Sequence, residues 1–256
     1  MRSVYGTFGG YFDSAYSRKI KAPLRYTAQT LGAVRDLDVF QAKTWRYIDA
    51  ELGGNPTSLK PLLRGIARRQ EVARLALVEW FDSRKYTRFV ERFHAVLSQP
   101  HALPVASIDG NGPRSTRVDH VLPTLLYERW EAVRRYEDFI ATASVPTLHE
   151  LRIEFKRLRY SLEFFEDVLG QSAGMLIRRV KEAQDHLGDM NDAQVAVSFL
   201  RVVGKALPKD ERSGIRAYRD YRQAEMDTLV ATFPQMWERF NAPKNREALG
   251  LAVAAI

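Results

Sequence analysis

TLHELRIEFKRLRYSLEFFEDVLG, residues 147–170, decides the fold. At 100° per residue, Leu151, Phe155, Leu158, Leu162, Phe165 and Leu169 fall within about 80° of one another, which is the apolar stripe of a core-facing helix. Thr147 followed by Glu150 reads as a capping box and sets the expected start. A second stripe, His149, Arg152, Lys156 and Arg159, runs roughly 110° round from the first. Arg157 lies on its far side. Acidic Glu163, Glu166 and Asp167 follow in the last two turns, and the cationic stripe ahead of them extends about 15 Å along the axis. Cations near a helix N-terminus oppose its dipole at a cost of about 0.3–1 kcal/mol. A bound polyanion would offset that cost.

Outward from this segment the same 3.6-residue apolar period continues, and strand-like alternation is scarce. The pattern predicts helices at 12–31, 34–52, 57–82, 84–98, 117–142, 147–169, 171–187, 190–204 and 208–240. QPHALPVASIDGNGPRST at 99–116 holds three Pro and two Gly with no apolar period, so it divides the chain into halves at 1–115 and 117–256. Residues 242–256 read as a loosely attached tail that covers a bundle end. An internal repeat joins the halves: Leu31-Gly32, Arg35-Asp36 and Val39 reappear at a constant offset as Leu187-Gly188, Asn191-Asp192 and Val195. Arg25 then falls on Lys181. Each copy reads as a helix ended by glycine, with an aspartate capping the next helix.

The chain has 256 residues, enough for a sizeable core. It contains no cysteine, which excludes disulfide scaffolds, thiolate nucleophiles and Cys-ligated metals. Thirty-nine Lys and Arg against 31 Asp and Glu give a net charge of +8. The surplus does not sit in a tail and forms no long like-charge run, so a polyanion would meet a folded surface. No apolar run nears the roughly 18 residues of a membrane span. The N-terminal MRSVYGTFGGYFDSAYSRK lacks the order of a signal peptide. A soluble, cytoplasmic protein without membrane association is expected.

His149-x-x-Arg152-x-x-x-Lys156-Arg157-Leu158-Arg159-Tyr160, followed by Leu187-Gly188 and Asn191-Asp192, resembles the CHAD domain, the conserved histidine α-helical domain. Residues 24–39, with LGAVRDLDV, resemble the corresponding part of that family's first repeat. The resemblance implies an all-α fold of two pseudo-symmetric four-helix bundles with a basic cleft between them. It also implies a domain that binds inorganic polyphosphate without catalysis and associates with polyphosphate granules. Some members are fused to a triphosphatase with an E-x-E-x-K strand, a motif that does not occur here. The family's first copy of the His-x-x-Arg helix would fall before Met1, so the chain reads as starting inside that helix, with Arg2-Ser3-Val4 matching Arg159-Tyr160-Ser161.

Polyphosphate suits the stripe because Arg forks grip phosphoryl oxygens in pairs and Lys adds point charge. The expected contacts are His149, Arg152, Lys156, Arg157 and Arg159, flanked by Arg178, Lys181, Arg25 and Arg35. The plainer alternative is a solvated face with local Glu pairs. No cofactor or metal is expected. Glu91-x-x-His94 is half of a di-iron pattern without its second half, and His186 reads as a helix C-terminal cap. Two rival functions remain open. Sequence-independent nucleic-acid binding would use Tyr218 and Tyr221 among Arg216, Arg219 and Arg222, although tyrosines anchored inward with arginines outside are the simpler reading. A metal-dependent phosphohydrolase would use Asp36, Asp38, Asp189 and Asp192. The four tryptophans, Trp45, Trp80, Trp130 and Trp237, are expected in the core or at bundle ends.

Overall fold

The computed structural model describes residues 14–98 and 117–256, with Tyr5, Thr7, Phe8, Tyr11 and Phe12. Its elements are all helical: α1 (Ser14–Glu51), α2 (Lys60–Phe81), α3 (Arg84–Ser98), α4 (Val118–Arg134), α5 (Val145–Phe164), a single turn α6 (Glu166–Leu169), α7 (Gln171–Ala206), α8 (Arg212–Asn241) and α9 (Pro243–Ala254). Short 3-10 turns lie at Thr57–Leu59, Glu137–Thr142 and Lys209–Glu211. The Pro- and Gly-containing break at 99–116 and Arg2-Ser3-Val4 lie outside the described residues.

The chain forms two compact units. One comprises Met1–Asn111 with Phe199–Arg219, the other Gly112–Ser198 with Asp220–Ile256. In the first unit, Tyr47, Ile48, Leu59, Leu62, Ile66, Leu200, Ile215 and Tyr218 form the core. The Arg69 guanidinium lies 4.4 Å from the centre of the Phe199 ring. Thr44 Oγ1 donates to the buried Tyr218 hydroxyl at 3.2 Å. Gly214 lets α8 lie against the turn at Ser58: a Cβ there would stand 2.7 Å from Ser58 Cβ and 2.9 Å from its carbonyl carbon.

In the second unit the predicted stripe of α5 is the core. Leu148, Leu151, Phe155, Leu158 and Leu162 are each at most 1% exposed. They meet Trp130 of α4 and Trp237 and Phe240 of α8; Phe155 and Phe240 pack edge to face with centroids 4.7 Å apart. Burial contributes roughly 1.5–3 kcal/mol per large side chain. That exceeds the dipole cost of the cations on the opposite face, so α5 forms with its basic stripe in place.

Several expectations need correction. Gly32 and Gly188 end no helix: α1 runs unbroken through Gly32 and α7 through Gly188. Asp36 and Asp192 are therefore interior residues, not caps. A Gly cap requires a left-handed backbone, and positive φ occurs among the described glycines at Gly53, Gly54 and Gly170 alone. The glycine terminus of α1 is instead the pair at 53–54, where Gly54 N–H donates to Ile48 O at 3.0 Å. Helix α5 begins a turn earlier than the Thr147–Glu150 box implies. Ser144 is its N-cap and accepts from Thr147 N–H at 3.3 Å, because Pro146 presets the first turn.

The helix expected at 117–142 ends at Arg134 and continues as a 3-10 turn. His186 lies mid-helix, its Nε2 donating to Leu229 O at 2.8 Å, so it is no C-cap. Residues 243–254 are no loose tail. Helix α9 buries Ala248, Leu249 and Ala252, and the buried Asn245 donates from Nδ2 to Arg239 O and Phe240 O, both at 2.8 Å. Trp130 and Trp237 are buried, whereas Trp45 is 40% exposed.

Candidate functional site

The cationic stripe of α5 faces away from the second unit's core, beside α7. Six residues (165–170) join the two helices, and His149 Nδ1 donates to Asn191 Oδ1 at 2.9 Å. His149 is 15 residues from the end of α5 and Asn191 is 20 residues into α7. Only antiparallel helices bring those positions together after so short a connection. The bond also restrains the imidazole, which it engages through Nδ1. The two motif segments of the sequence, one headed by His149 and one containing Asn191-Asp192, thus meet directly.

From this bond the register follows at 1.5 Å per residue. Three residues along α5 is Arg152, and three back along α7 is Gly188. Ten along is Arg159, and ten back is Lys181, each about 15 Å from the His149–Asn191 bond. Arg178 lies a further turn beyond Lys181 on α7. Lys181 and Arg178 are exposed.

The cations divide by their pairing. Arg157 is turned to Glu154 at 2.5 Å and Arg179 to Glu182 at 2.7 Å, so these follow the pattern of a solvated, locally paired face. Arg159 is mostly buried, its side chain 17% exposed, and its Nε lies 3.4 Å from Glu163. By contrast, Arg152, Lys156, Arg178 and Lys181 have no acidic partner within 4 Å among the described residues. Lys156 and Arg159 flank the same ring, at 5.7 and 5.1 Å from the centre of Tyr160. Both cations are attracted to this ring by its quadrupole, and two like charges held so near one another favour an anion between them.

Arg25 and Arg35 belong to α1 in the first unit, and both are exposed. Arg35 pairs with its neighbour Asp36 at 3.6 Å. Asp38 is engaged by Gln70, whose Nε2 donates to it at 2.7 Å, and by Arg74 at 3.7 Å. Among the described residues no three His, Asp or Glu side chains gather as a metal-binding group. No helix there is long and apolar enough to cross a membrane.

On α8 the simpler arrangement of tyrosines in and arginines out fails at one turn. Tyr218 is fully buried, but Tyr221 is 41% exposed and Arg222 is 3% exposed. Residues 215, 218 and 222 share one face, which carries Arg222 inward, and Glu225 offsets its charge at 2.7 Å. Tyr218 is therefore not available for base stacking.

Comparison with known proteins follows from this geometry. The family described as CHAD domain matches residues 1–201. The chain belongs to the CHAD domain family. Among solved structures, this CHAD domain is similar to PptA from Streptomyces chartreusis, with a TM-score of 0.70 and 13% identity over 93% of this chain and 85% of that one. It is also similar to the CHAD domain from the plant Ricinus communis, with a TM-score of 0.67 and 21% identity over 94% of this chain and 77% of the other. At such identities the likeness is one of fold. No curated protein matches the sequence.

Two features of the site were not singled out from the sequence. Asn191 stands in the sequence both in the repeat and in the motif that follows the His149 helix, but neither pattern gives it a contact to His149. Gly188 was assigned to a cap because Gly before Asp resembles a helix boundary. Its position level with Arg152 emerges only from the α5–α7 register.

Proposed function

We propose that this CHAD domain binds inorganic polyphosphate, without catalysis, along the edge formed by α5 and α7. The observation that carries the reading is the His149–Asn191 bond, which sets Arg152, Lys156 and Lys181, none with an acidic partner among the described residues, along one pair of helices. Phosphoryl oxygens recur every few ångströms along the polymer and need no directional match, so a row of cations over about 15 Å spans several phosphates. Arg159 and Arg178 add charge beside that row, and Arg157 on α5 with Arg25 and Arg35 on α1 of the first unit are further candidate contacts. Association with polyphosphate granules in the cytoplasm is the corresponding cellular role.

The test is a competition titration near 0.15 M salt, where long-range surface charge is screened. Labelled long-chain polyphosphate is bound and challenged with tripolyphosphate, DNA and RNA. Displacement by polyphosphate alone at low concentration supports the reading, and equal displacement by nucleic acid replaces it with generic polyanion binding. The double variant Arg152→Glu/Lys156→Glu is expected to weaken polyphosphate binding at least roughly tenfold, about 1.4 kcal/mol. Its melting temperature should stay within about 2 °C of the parent. Unchanged affinity in that variant overturns the site.

A further inference from the structure

Gly188 and Gly32 occupy equivalent places in the repeat, each deep inside a long helix. A glycine there lowers helix stability relative to alanine, so something should require it. Backbone conformation does not, since neither has a positive φ. Packing does not either: a Cβ built on Gly188 or Gly32 meets nothing within 4 Å, in contrast to the clash at Gly214. Gly65 and Gly250 are open as well, but the repeat offset pairs them with Tyr221 and His94 rather than with glycine.

Gly188 lies between two elements of the basic edge. One turn from it, Asn191 holds His149. Level with it on the antiparallel partner is Arg152, and two turns back on its own helix face is Lys181. The corresponding face of α1 reads Lys21, Arg25, Ala28, Gly32, Arg35 and Asp36, the last two paired at 3.6 Å; cations again precede a residue without a side chain, and an aspartate follows it by four positions, as Asp192 follows Gly188. The recurring element is a helix surface lowered at one point, with a cation two turns before it, Lys181 or Arg25, and an aspartate one turn after it.

Building on the polyphosphate reading above, we propose that Gly188 is where a linear phosphate chain makes its closest approach to the α7 backbone, between Arg152 and Lys181. Its missing side chain sets the depth of the groove. An unbranched chain of phosphates fits that depth, whereas a polymer whose phosphates are separated by sugars and bases is held further out. Gly188 is thus a specificity-determining position, and Gly32 is its counterpart in the first unit.

The experiment uses the full chain with Gly188→Ala, Gly188→Leu and the control Gly65→Leu. Polyphosphate and single-stranded DNA affinities are measured near 0.15 M salt alongside melting temperature. Gly188→Leu is expected to weaken polyphosphate binding roughly tenfold, to leave DNA binding within about twofold, and not to lower the melting temperature. Gly188→Ala should raise the melting temperature by about 2 °C while still weakening polyphosphate binding, a combination that a structural glycine does not give. Gly65→Leu should leave binding unchanged. If both Gly188 variants bind polyphosphate as the parent does, while Arg152→Glu/Lys156→Glu abolishes binding, the role of Gly188 is overturned and the site survives. Equal losses for polyphosphate and DNA overturn the selectivity. A parent chain that binds no polyphosphate overturns both readings.

Discussion

At the scale of single residues, a side chain's cost or benefit depends on what lies within 4 Å of it. Gly214 and Gly188 are both helical glycines, yet one is pressed against Ser58 and the other faces open space. Gly214→Ala is expected to cost about 1–3 kcal/mol through overpacking, measurable by urea denaturation. Asn245 is fully buried and satisfies two carbonyls at the end of α8. Asn245→Ala leaves both without donors and should cost about 1–3 kcal/mol. A loss below a few tenths would show that α9 is not needed to close that end. Arg222 presents the opposite case, a buried guanidinium whose Nε and Nη2 find no hydrogen-bond partner. Arg222→Met/Glu225→Met removes both members of the pair and should be neutral or stabilising, whereas Arg222→Met alone strands the Glu225 carboxylate and should be destabilising.

At the scale of elements, the 3-10 turn after α4 is clamped to the end of α8 by Glu137. Arg134 donates to Glu137 Oε2 at 2.8 Å and Asn241 Nδ2 donates to Oε1 at 2.6 Å. The Arg134 bond is the largest influence and holds the carboxyl below its usual value of 4.5; desolvation, next in size, opposes it, and the Asn241 bond adds to the lowering. A depressed folded pKa gives stability that is present above about 4.5 and lost as pH falls through the folded value. Glu137→Gln should therefore cost a few tenths to about 1 kcal/mol at pH 7, as the pair is partly exposed. The deficit should shrink as the pH is lowered into the acid range. The α5 stripe was legible because five apolar residues share one face and each contributes far more than any local preference. No helix boundary forms at 187–190 because glycine's helix penalty, about 1 kcal/mol, is small beside the burial of Leu187, Met190 and Ala193 around it. Residue type identified the basic edge, but the α5–α7 register that gives it order depends on a contact 42 residues apart in sequence.

At the scale of the whole molecule, the net charge of +8 makes any polyanion affinity fall with salt. The charge-reversed Arg152→Glu/Lys156→Glu variant should show a shallower salt dependence than the parent, as fewer counterions are released. Equal slopes would place binding elsewhere on the surface. The all-helical architecture could be read from periodicity throughout, while the exchange of 199–219 into the first unit could not, since no local pattern marks a helix that serves two cores. That exchange has a consequence during synthesis. Ile48, Leu62 and Ile66 leave the ribosome long before Leu200, Ile215 and Tyr218, with which they form one core. At ~10 residues per second, the wait is on the order of 10 s. Throughout it the nascent first unit carries an open apolar face, and the late segment 199–219 completes the part made first, while 220–256 goes to the second unit.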